Sequence, residues 1–234
     1  MFSIIIPTLN EQKNIVQAIN QFNIVKNKYN IEVIVSDSGS IDDTVLIARK
    51  YADNVVIYND KNCNISKARN LGAKSAKNKF LIFLDADVLI KDTKVFFKTI
   101  ISEFNNKNLI AITPRISVYP NEETKLDKFI HSIISLISNI LNKVGIGYSR
   151  GGCQIIRSTY FNRIKGYNER YVAAEDVDIF RRLRKIGKTN ILNSLKVYES
   201  PRRYRKFGYT NVLYRWFMNW AYTLLFKRSF SAKW

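Results

Sequence analysis

The sequence predicts an α/β fold, a mainly parallel sheet flanked by helices, on three observations. Apolar runs of strand length at residues 3–7, 31–36 and 80–84 alternate with stretches of helical spacing, the pattern of βαβ units with right-handed crossovers. Each run ends in polar residues that include a carboxylate: Thr8-Leu9-Asn10-Glu11, Asp37-Ser38-Gly39-Ser40 and Asp85-Ala86-Asp87. In an open α/β sheet the ligand crevice lies outside such strand ends. Finally, 234 residues of which 46% are hydrophobic and 13% aromatic supply the core of one large domain.

Taken in order, residues 3–7 form a short buried strand. Asn10 is expected as the N-cap of the following helix, with Glu11 complementing its N-terminus and Ile15, Ala18, Ile19, Phe22 and Val25 on its inner face. Residues 31–36 repeat the unit, with Asp42 and Asp43 opening a helix that carries Val45, Ile47 and Ala48. Residues 54–58 read as a third strand, 66–77 as a helix holding Lys67, Arg69 and Lys74, and 80–84 as a strand apolar enough to be buried on both faces.

The second half changes character. Residues 92–104 read as a helix, 109–119 as an extended stretch broken near Pro114, and 122–141 as a helix with a broad apolar face from Phe129 to Leu141. That face suits a core or subunit contact as well as a membrane surface, and it is too short and too polar to span. Residues 145–152 form a turn-rich loop, 154–157 a short strand, and 175–185 a helix with Val177, Phe180 and Leu183 inward. Residues 212–226 are apolar and aromatic but interrupted by Arg215 and Asn219. Either this helix packs on the domain or it lies in a headgroup boundary, where Tyr214, Trp216, Trp220 and Tyr222 favour it. The chain therefore divides into a catalytic domain, residues 1–200, and a basic, aromatic C-terminal amphipathic extension, residues 201–234.

A formal net charge of +19 points to anionic partners: nucleotide phosphates, an anionic membrane surface or nucleic acid. No acidic residue follows Glu199, whereas Arg202, Arg203, Arg205, Lys206, Arg215, Lys227, Arg228 and Lys233 do. Two cysteines, Cys63 and Cys153, and the lone His131 support neither a disulfide framework nor a zinc site, which fits a reducing compartment. The start lacks the basic region and cleavage site of a secretion signal.

Three constellations carry candidate chemistry. Asp85 and Asp87 are hard oxygen donors suited to Mg²⁺ or Mn²⁺ with substrate phosphates, although Asp-x-Asp is also an ordinary solvated turn. Asp37 is placed to accept from a base N–H or a ribose hydroxyl, or to form an Asx turn; Arg69, near a helix start, suggests an anion nearby. Glu175-Asp176 complements a helix N-terminus, or, beside a metal–diphosphate site, supplies a general base.

SIIIPTLNE, VSDSGSIDDT, SKARNLGAKSAKNKFLIFLDADV, and GGCQIIRSTYFNRIKGYNE followed by AAEDVDIFRRLRKIGK together resemble family 2 glycosyltransferases of the Rossmann-like GT-A fold, over about residues 2–190. The resemblance implies inverting, metal-dependent transfer (Mn²⁺ or Mg²⁺) from a nucleotide-diphosphate sugar, UDP- or GDP-linked. It implies that Pro7, Thr8, Glu11 and Asp37 hold the nucleoside, Arg69 helps with the diphosphate, and Asp85 with Ala86 contacts the nucleotide or ribose. Asp87 is then the metal ligand, Asp176 the general base, Glu175 its neighbour beside the acceptor, and Gly151-Gly152 a loop that admits substrate to the backbone.

Processive members carry Gln-x-x-Arg-Trp near a membrane helix; here Val212-Leu213-Tyr214-Arg215-Trp216 keeps only Arg-Trp. Addition of a single sugar is therefore expected. The basic, aromatic tail resembles the membrane-attaching ends of family members that glycosylate lipid-linked acceptors, which implies a glycan or lipid-linked acceptor, with Arg202, Arg203, Arg205, Arg215 and Trp216 towards the acceptor or a lipid phosphate. The expected location is cytoplasmic, peripheral on the cytoplasmic face of the membrane, with oligomerisation open and no nucleic-acid partner. Two other classes compete: a basic nucleic-acid binder, which lacks a recognition module, and a sugar nucleotidyltransferase, which lacks its Gly-rich phosphate loop.

Overall fold

In this computed structural model, which describes residues 1–58 and 62–231, the sheet grows outward from β1 (Phe2–Thr8), buried along its whole length. On one side β1 pairs in parallel with β2 (Ile31–Asp37), and β2 with β3 (Asn54–Ile57); on the other it pairs in parallel with β4 (Phe80–Leu84). This half is as the apolar runs predict. Its crossovers are α1 (Ile15–Asn20) with α2 (Lys26–Tyr29), α3 (Thr44–Tyr51) and α4 (Ile65–Lys74). Gly72 lets α4 lie directly on β1, since a Cβ there would stand 2.5 Å from Ile5 Cγ2.

Beyond β4 the sheet is mixed. Among the described residues the order is β3-β2-β1-β4-β7-β6-β8-β5. Here β5 is Val88–Ile90, β6 Leu109–Val118, β7 Cys153–Arg157 and β8 Lys188–Glu199. β7 runs antiparallel to β4 and β6, and β5 antiparallel to β8, while β6 and β8 are parallel with a shift at Pro114/Arg115, where the sequence predicts a break. The helices of this half are α5 (Thr93–Glu103), α6 (Lys125–Lys143), α7 (Ser158–Arg163) and α8 (Glu175–Arg184).

Asn10 does not cap a helix: α1 begins at Ile15 behind Asn14. Asn10 takes a left-handed φ of 55°, which Asn tolerates. Its N–H donates to Ser40 Oγ (2.8 Å) and its Oδ1 accepts from Ile41 N (2.9 Å), while Glu11 N donates to Thr44 Oγ1 (2.8 Å). Two loops that the sequence presents separately are thus laced together.

The C-terminal segment folds onto the domain as α9 (Arg202–Phe207) and α10 (Tyr209–Phe226). Tyr204 and Val212 pack on Val118 of β6. After α10 the chain turns back, with Ser231 bonded to Asn219 and Ser229 Oγ accepting from Val172 N (3.0 Å) and Ala173 N (3.1 Å). Among the described residues no helix is long and apolar enough to cross a membrane. Lys233 of the basic tail lies outside the described residues.

Candidate active site

The three strand ends named in the sequence do converge, and the loop before β7 joins them. Leu84 pairs with Cys153, and Asp85 N donates to Gly152 O (3.1 Å), so Gly151-Gly152 lies beside Asp85-Ala86. Pro7 pairs with Ser36, and Thr8 with Asp37, at the far ends of β1 and β2.

Asp37 is fully buried and its carboxylate accepts four hydrogen bonds. Oδ1 takes those of Thr8 Oγ1 (3.0 Å) and Ser40 Oγ (2.5 Å); Oδ2 takes those of Gly39 N and Ser40 N (2.8 Å each). As placed it is a loop staple with its acceptor capacity used, the Asx-turn geometry rather than an open nucleoside contact.

Arg69 is 1% exposed. Nη1 donates to Glu175 Oε1 (2.8 Å), and Nη2 donates to Asp85 Oδ1 (2.8 Å) and Gly151 O (3.1 Å). The guanidinium also stands over the Tyr167 ring, 5.3 Å from its centroid. Burial opposes its charge, but Asp85 and Glu175 more than offset that and hold it firmly protonated. Arg69 as placed is therefore a tie between a carboxylate at the end of β4 and one at the start of α8.

Asp87 faces a different cation. Arg202 Nε lies 3.2 Å from Asp87 Oδ2, and both terminal nitrogens of Arg202 bond the Glu11 carboxylate. Burial, then the like charges of Asp85, Glu199 and Glu11, push the Asp87 carboxyl up to about 7 against the pull of Arg202. Among the described residues no three ligating side chains form a ready metal cluster. The donor set nonetheless fits a hard divalent cation: it is all carboxylate oxygen, it already gathers a positive charge, and Mg²⁺-type ions take only one or two carboxylates when phosphates complete their shell. Asp87, with Glu11 and Asp85 near it, is the set that would hold one.

Glu175 and Asp176 open α8 behind Ala174, which takes a left-handed φ of 62°. The pair sits where the helix dipole favours negative charge. Burial nevertheless pushes both carboxyls up, with Asp176 adding repulsion on Glu175 and Arg69 pulling the other way. Glu175 is committed to Arg69. Asp176 Oδ1 accepts from Val177 N (2.8 Å), and its Oδ2 comes close to Gly151, where a Cβ would lie 3.4 Å from it and 3.2 Å from Arg69 Nη2. Only a residue without a side chain fits there untouched.

A cavity of about 410 Å³ opens in front of these groups. Asp85, Glu175, Asp176 and Glu199 line one side; Ile134, Ile137 and Leu141 of α6 and Leu213, Trp216, Phe217 and Trp220 of α10 line the others. Glu199 was not singled out as a site residue. It ends β8 and accepts from Arg150 Nη2 and from Tyr204 OH (2.5 Å); burial would raise its pKa, but Arg150 and the hydrogen bonds bring it below the ordinary value. The one signal in the sequence was that it is the last acid before a purely basic tail. Arg150 in turn lies over the Trp216 ring, 5.3 Å from its centroid.

Of the basic residues expected at an acceptor or lipid phosphate, Arg203 lines the cavity. Arg215 is exposed and stands over the Phe207 ring. Arg202 and Arg205 are instead turned onto carboxylates, Arg205 donating to Asp127 and to Glu122 O. The structure brings Asp85, Arg69, Gly151, Gly152, Glu175, Asp176, Arg203 and Trp216 to one cavity; Asp87, Glu11 and Arg202 form an adjoining cluster, and Asp37 with Thr8 stands behind it.

Known proteins resemble this chain in sequence and in fold. O-antigen chain rhamnosyltransferase WbaN of Salmonella anatum is 27% identical over 166 residues, which is 67% of this chain and 52% of that protein. Mannosyltransferase PcManGT from Pyrobaculum calidifontis, solved with GDP-Man and Mn²⁺, superposes with a TM-score of 0.69 at 16% identity over 85% of this chain and 56% of its own. S. aureus TarS 1–349, solved with UDP-GlcNAc, does so with a TM-score of 0.64 at 21% identity over 85% and 58%. These superpositions give the fold: a mixed α/β sheet of the GT-A type. The chain spans about half the length of the curated relatives it matches. Residues 3–165, and with them Asp85, Asp87 and the Gly151-Gly152 loop, match the model of glycosyl transferase family 2, and it is to this family that the chain belongs.

Proposed function

We propose that this protein transfers a single sugar, with inversion, from a UDP- or GDP-linked donor to the hydroxyl of a glycan or lipid-linked acceptor at the membrane surface. The observation that carries the reading is the cavity lined by Asp176 and Gly151, with Asp176 Oδ2 3.4 Å from where a Gly151 Cβ would stand, while Arg69 ties together Asp85 and Glu175 of the same lining.

In this reading Asp176 takes the proton of the acceptor hydroxyl as that oxygen bonds to the anomeric carbon and the bond from carbon to the donor diphosphate breaks. Glu175, held by Arg69, keeps the neighbouring negative charge in place without competing for the hydroxyl. The apolar wall of α6 and α10 excludes water, so that the acceptor rather than solvent meets the sugar. A divalent cation on Asp87, Mn²⁺ or Mg²⁺, would supply charge stabilisation to the departing diphosphate. PcManGT with GDP-Man and Mn²⁺, and TarS with UDP-GlcNAc, support a nucleotide-sugar donor. WbaN, an O-antigen chain rhamnosyltransferase, supports a cell-surface glycan as the end product.

The test is calorimetric titration of UDP, GDP and their sugar conjugates with Mn²⁺, with Mg²⁺ and with chelator, on wild type and Asp87→Ala. Metal-dependent binding of one nucleotide diphosphate, lost in the variant, is expected. Absence of binding by all of them to folded wild-type protein would overturn the reading.

A further inference from the structure

Two helices that wall the cavity also present apolar side chains outward. On α6, Phe129 is 63% and Leu136 60% exposed; on α10, Leu225 is 74% exposed. Ile137 and Phe217 belong to both surfaces, since they line the cavity and yet are 51% and 60% exposed. An apolar path therefore runs from the carboxylates to the outside of the molecule. Large exposed apolar faces of this kind mark a site of attachment.

The charge around the two helices says what covers them. α9 leads into α10 with Arg203 and Lys206 beside Arg202 and Arg205, whose charges are met by Glu11, Asp87 and Asp127, and Lys227 and Arg228 follow α10. α6 carries Lys125 and Lys128 in its first turn and Lys143 in its last. No acidic residue follows Glu199, and the chain as a whole bears +19. A second copy laid on this face would bring two such charges together, whereas an anionic bilayer is attracted by the charge and takes up the apolar side chains. Apolar on one side and basic at the ends, the helices have the make-up of helices that lie in the headgroup layer.

We propose that α6 and α10 together form a lipid-facing rim around the cavity, docked on an anionic membrane. The acceptor is then an amphipath whose head, carrying the hydroxyl, reaches Asp176 with its anionic group towards Arg203, while its hydrocarbon leaves between Ile137 and Phe217 into the bilayer. This deepens the transfer reading above and rests on it.

The test is cosedimentation of the full chain with vesicles of phosphatidylcholine alone and of phosphatidylcholine mixed with phosphatidylglycerol, for wild type, Leu136→Glu and Leu225→Glu. Wild type should bind the anionic vesicles and be released by salt, and each variant should bind about tenfold more weakly, the order expected when one leucine is lost from an apolar contact. Nucleotide binding with Mn²⁺ should be unchanged, because neither residue lines the cavity. Nucleotide binding without vesicle binding would overturn the rim and leave the transfer reading standing; vesicle binding without nucleotide binding would support the rim and remove that reading. Vesicle binding that neither substitution weakens, or a dimer in solution that Leu136→Glu dissociates with no vesicle binding, would also overturn the rim. For the acceptor, dodecyl phosphate should change the fluorescence of Trp216 and Trp220 saturably where inorganic phosphate does not; equal responses to both would overturn the assignment of the hydrocarbon path.

Discussion

The Arg202 side chain pairs with Asp87 through Nε, at 3.2 Å, and bonds Glu11, 191 positions earlier, through both terminal nitrogens, so one guanidinium joins the turn after β4 to the loop after β1. A divalent ion on Asp87 and this guanidinium answer to the same negative charge. Arg202→Gln should therefore raise the affinity for Mn²⁺ without nucleotide by roughly threefold to tenfold, the scale of one half-exposed charge contact. Electron paramagnetic resonance of free Mn²⁺ would measure it, and unchanged or weaker binding would show that Arg202 does not compete.

Asp176→Asn should retain donor binding and lower transfer on the order of 10²-fold or more, as removal of a general base does. The acid limb of the wild-type rate should also fall nearer neutrality than that of an ordinary carboxylate. Burial raises the pKa of Asp176 and Glu175, the base works in its charged form, and so activity is lost as pH falls through the raised value. A pH–rate profile at saturating donor measures this. An Asn variant with nearly full turnover would move the base elsewhere, Glu175 first.

Gly151→Ala should leave the fold and the binding of nucleotide intact yet reduce transfer about tenfold or more, because even small displacements at a reacting group are costly. The new methyl would press on Arg69 Nη2 at 3.2 Å and on Asp176 Oδ2 at 3.4 Å. Steady-state kinetics beside a thermal melt would separate the two effects, and a variant with the wild-type rate would show that the space beside Asp176 is not used.

Asp127 is fully buried at the start of α6, where it closes a capping box with Thr124 and accepts from Arg205 and Tyr209. Burial would raise its pKa, but the bonds from Arg205, Tyr209 and Thr124 hold it well below the usual carboxylate range. A depressed pKa contributes stability that is present above the ordinary value and lost as pH falls through the folded one. Asp127→Ala should cost roughly 2–3 kcal/mol near neutral pH, less than a fully buried pair because Arg205 is half exposed to solvent. The difference between variant and wild type should shrink in strong acid. Urea unfolding at two pH values would measure both.

The parallel half of the sheet was legible because its strands are continuous apolar runs, and residues 80–84 announce a buried central strand on their own. Asp85, Asp87, Glu175 and Asp176 were legible as pairs of like charge at element ends. β8 was not: Lys188–Glu199 mixes Asn, Ser and Lys among its apolar residues, and its place is set by pairing with β6, about 80 residues earlier. Glu199 became visible only with that strand. Arg69, near a helix start where the dipole needs no cation, suggests an anion nearby; the anions this structure sets against it are Asp85 and Glu175, which local spacing cannot bring together. Asn10 suited an N-cap by residue type, but its partners, Ser40 and Ile41, lie across a loop that short-range reasoning does not see.

The sheet order has a consequence for which parts of the molecule breathe. β4 and β7 are the two middle strands, while β3 and the three-residue β5 are the margins. Asp85 hangs on the end of β4 with its amide bonded to Gly152 O, just before β7, so that amide should exchange with deuterium more slowly than those of the margins, which fray first. Stabilising or trimming the margins would then alter the melting behaviour of the protein while leaving the carboxylates at their working distances.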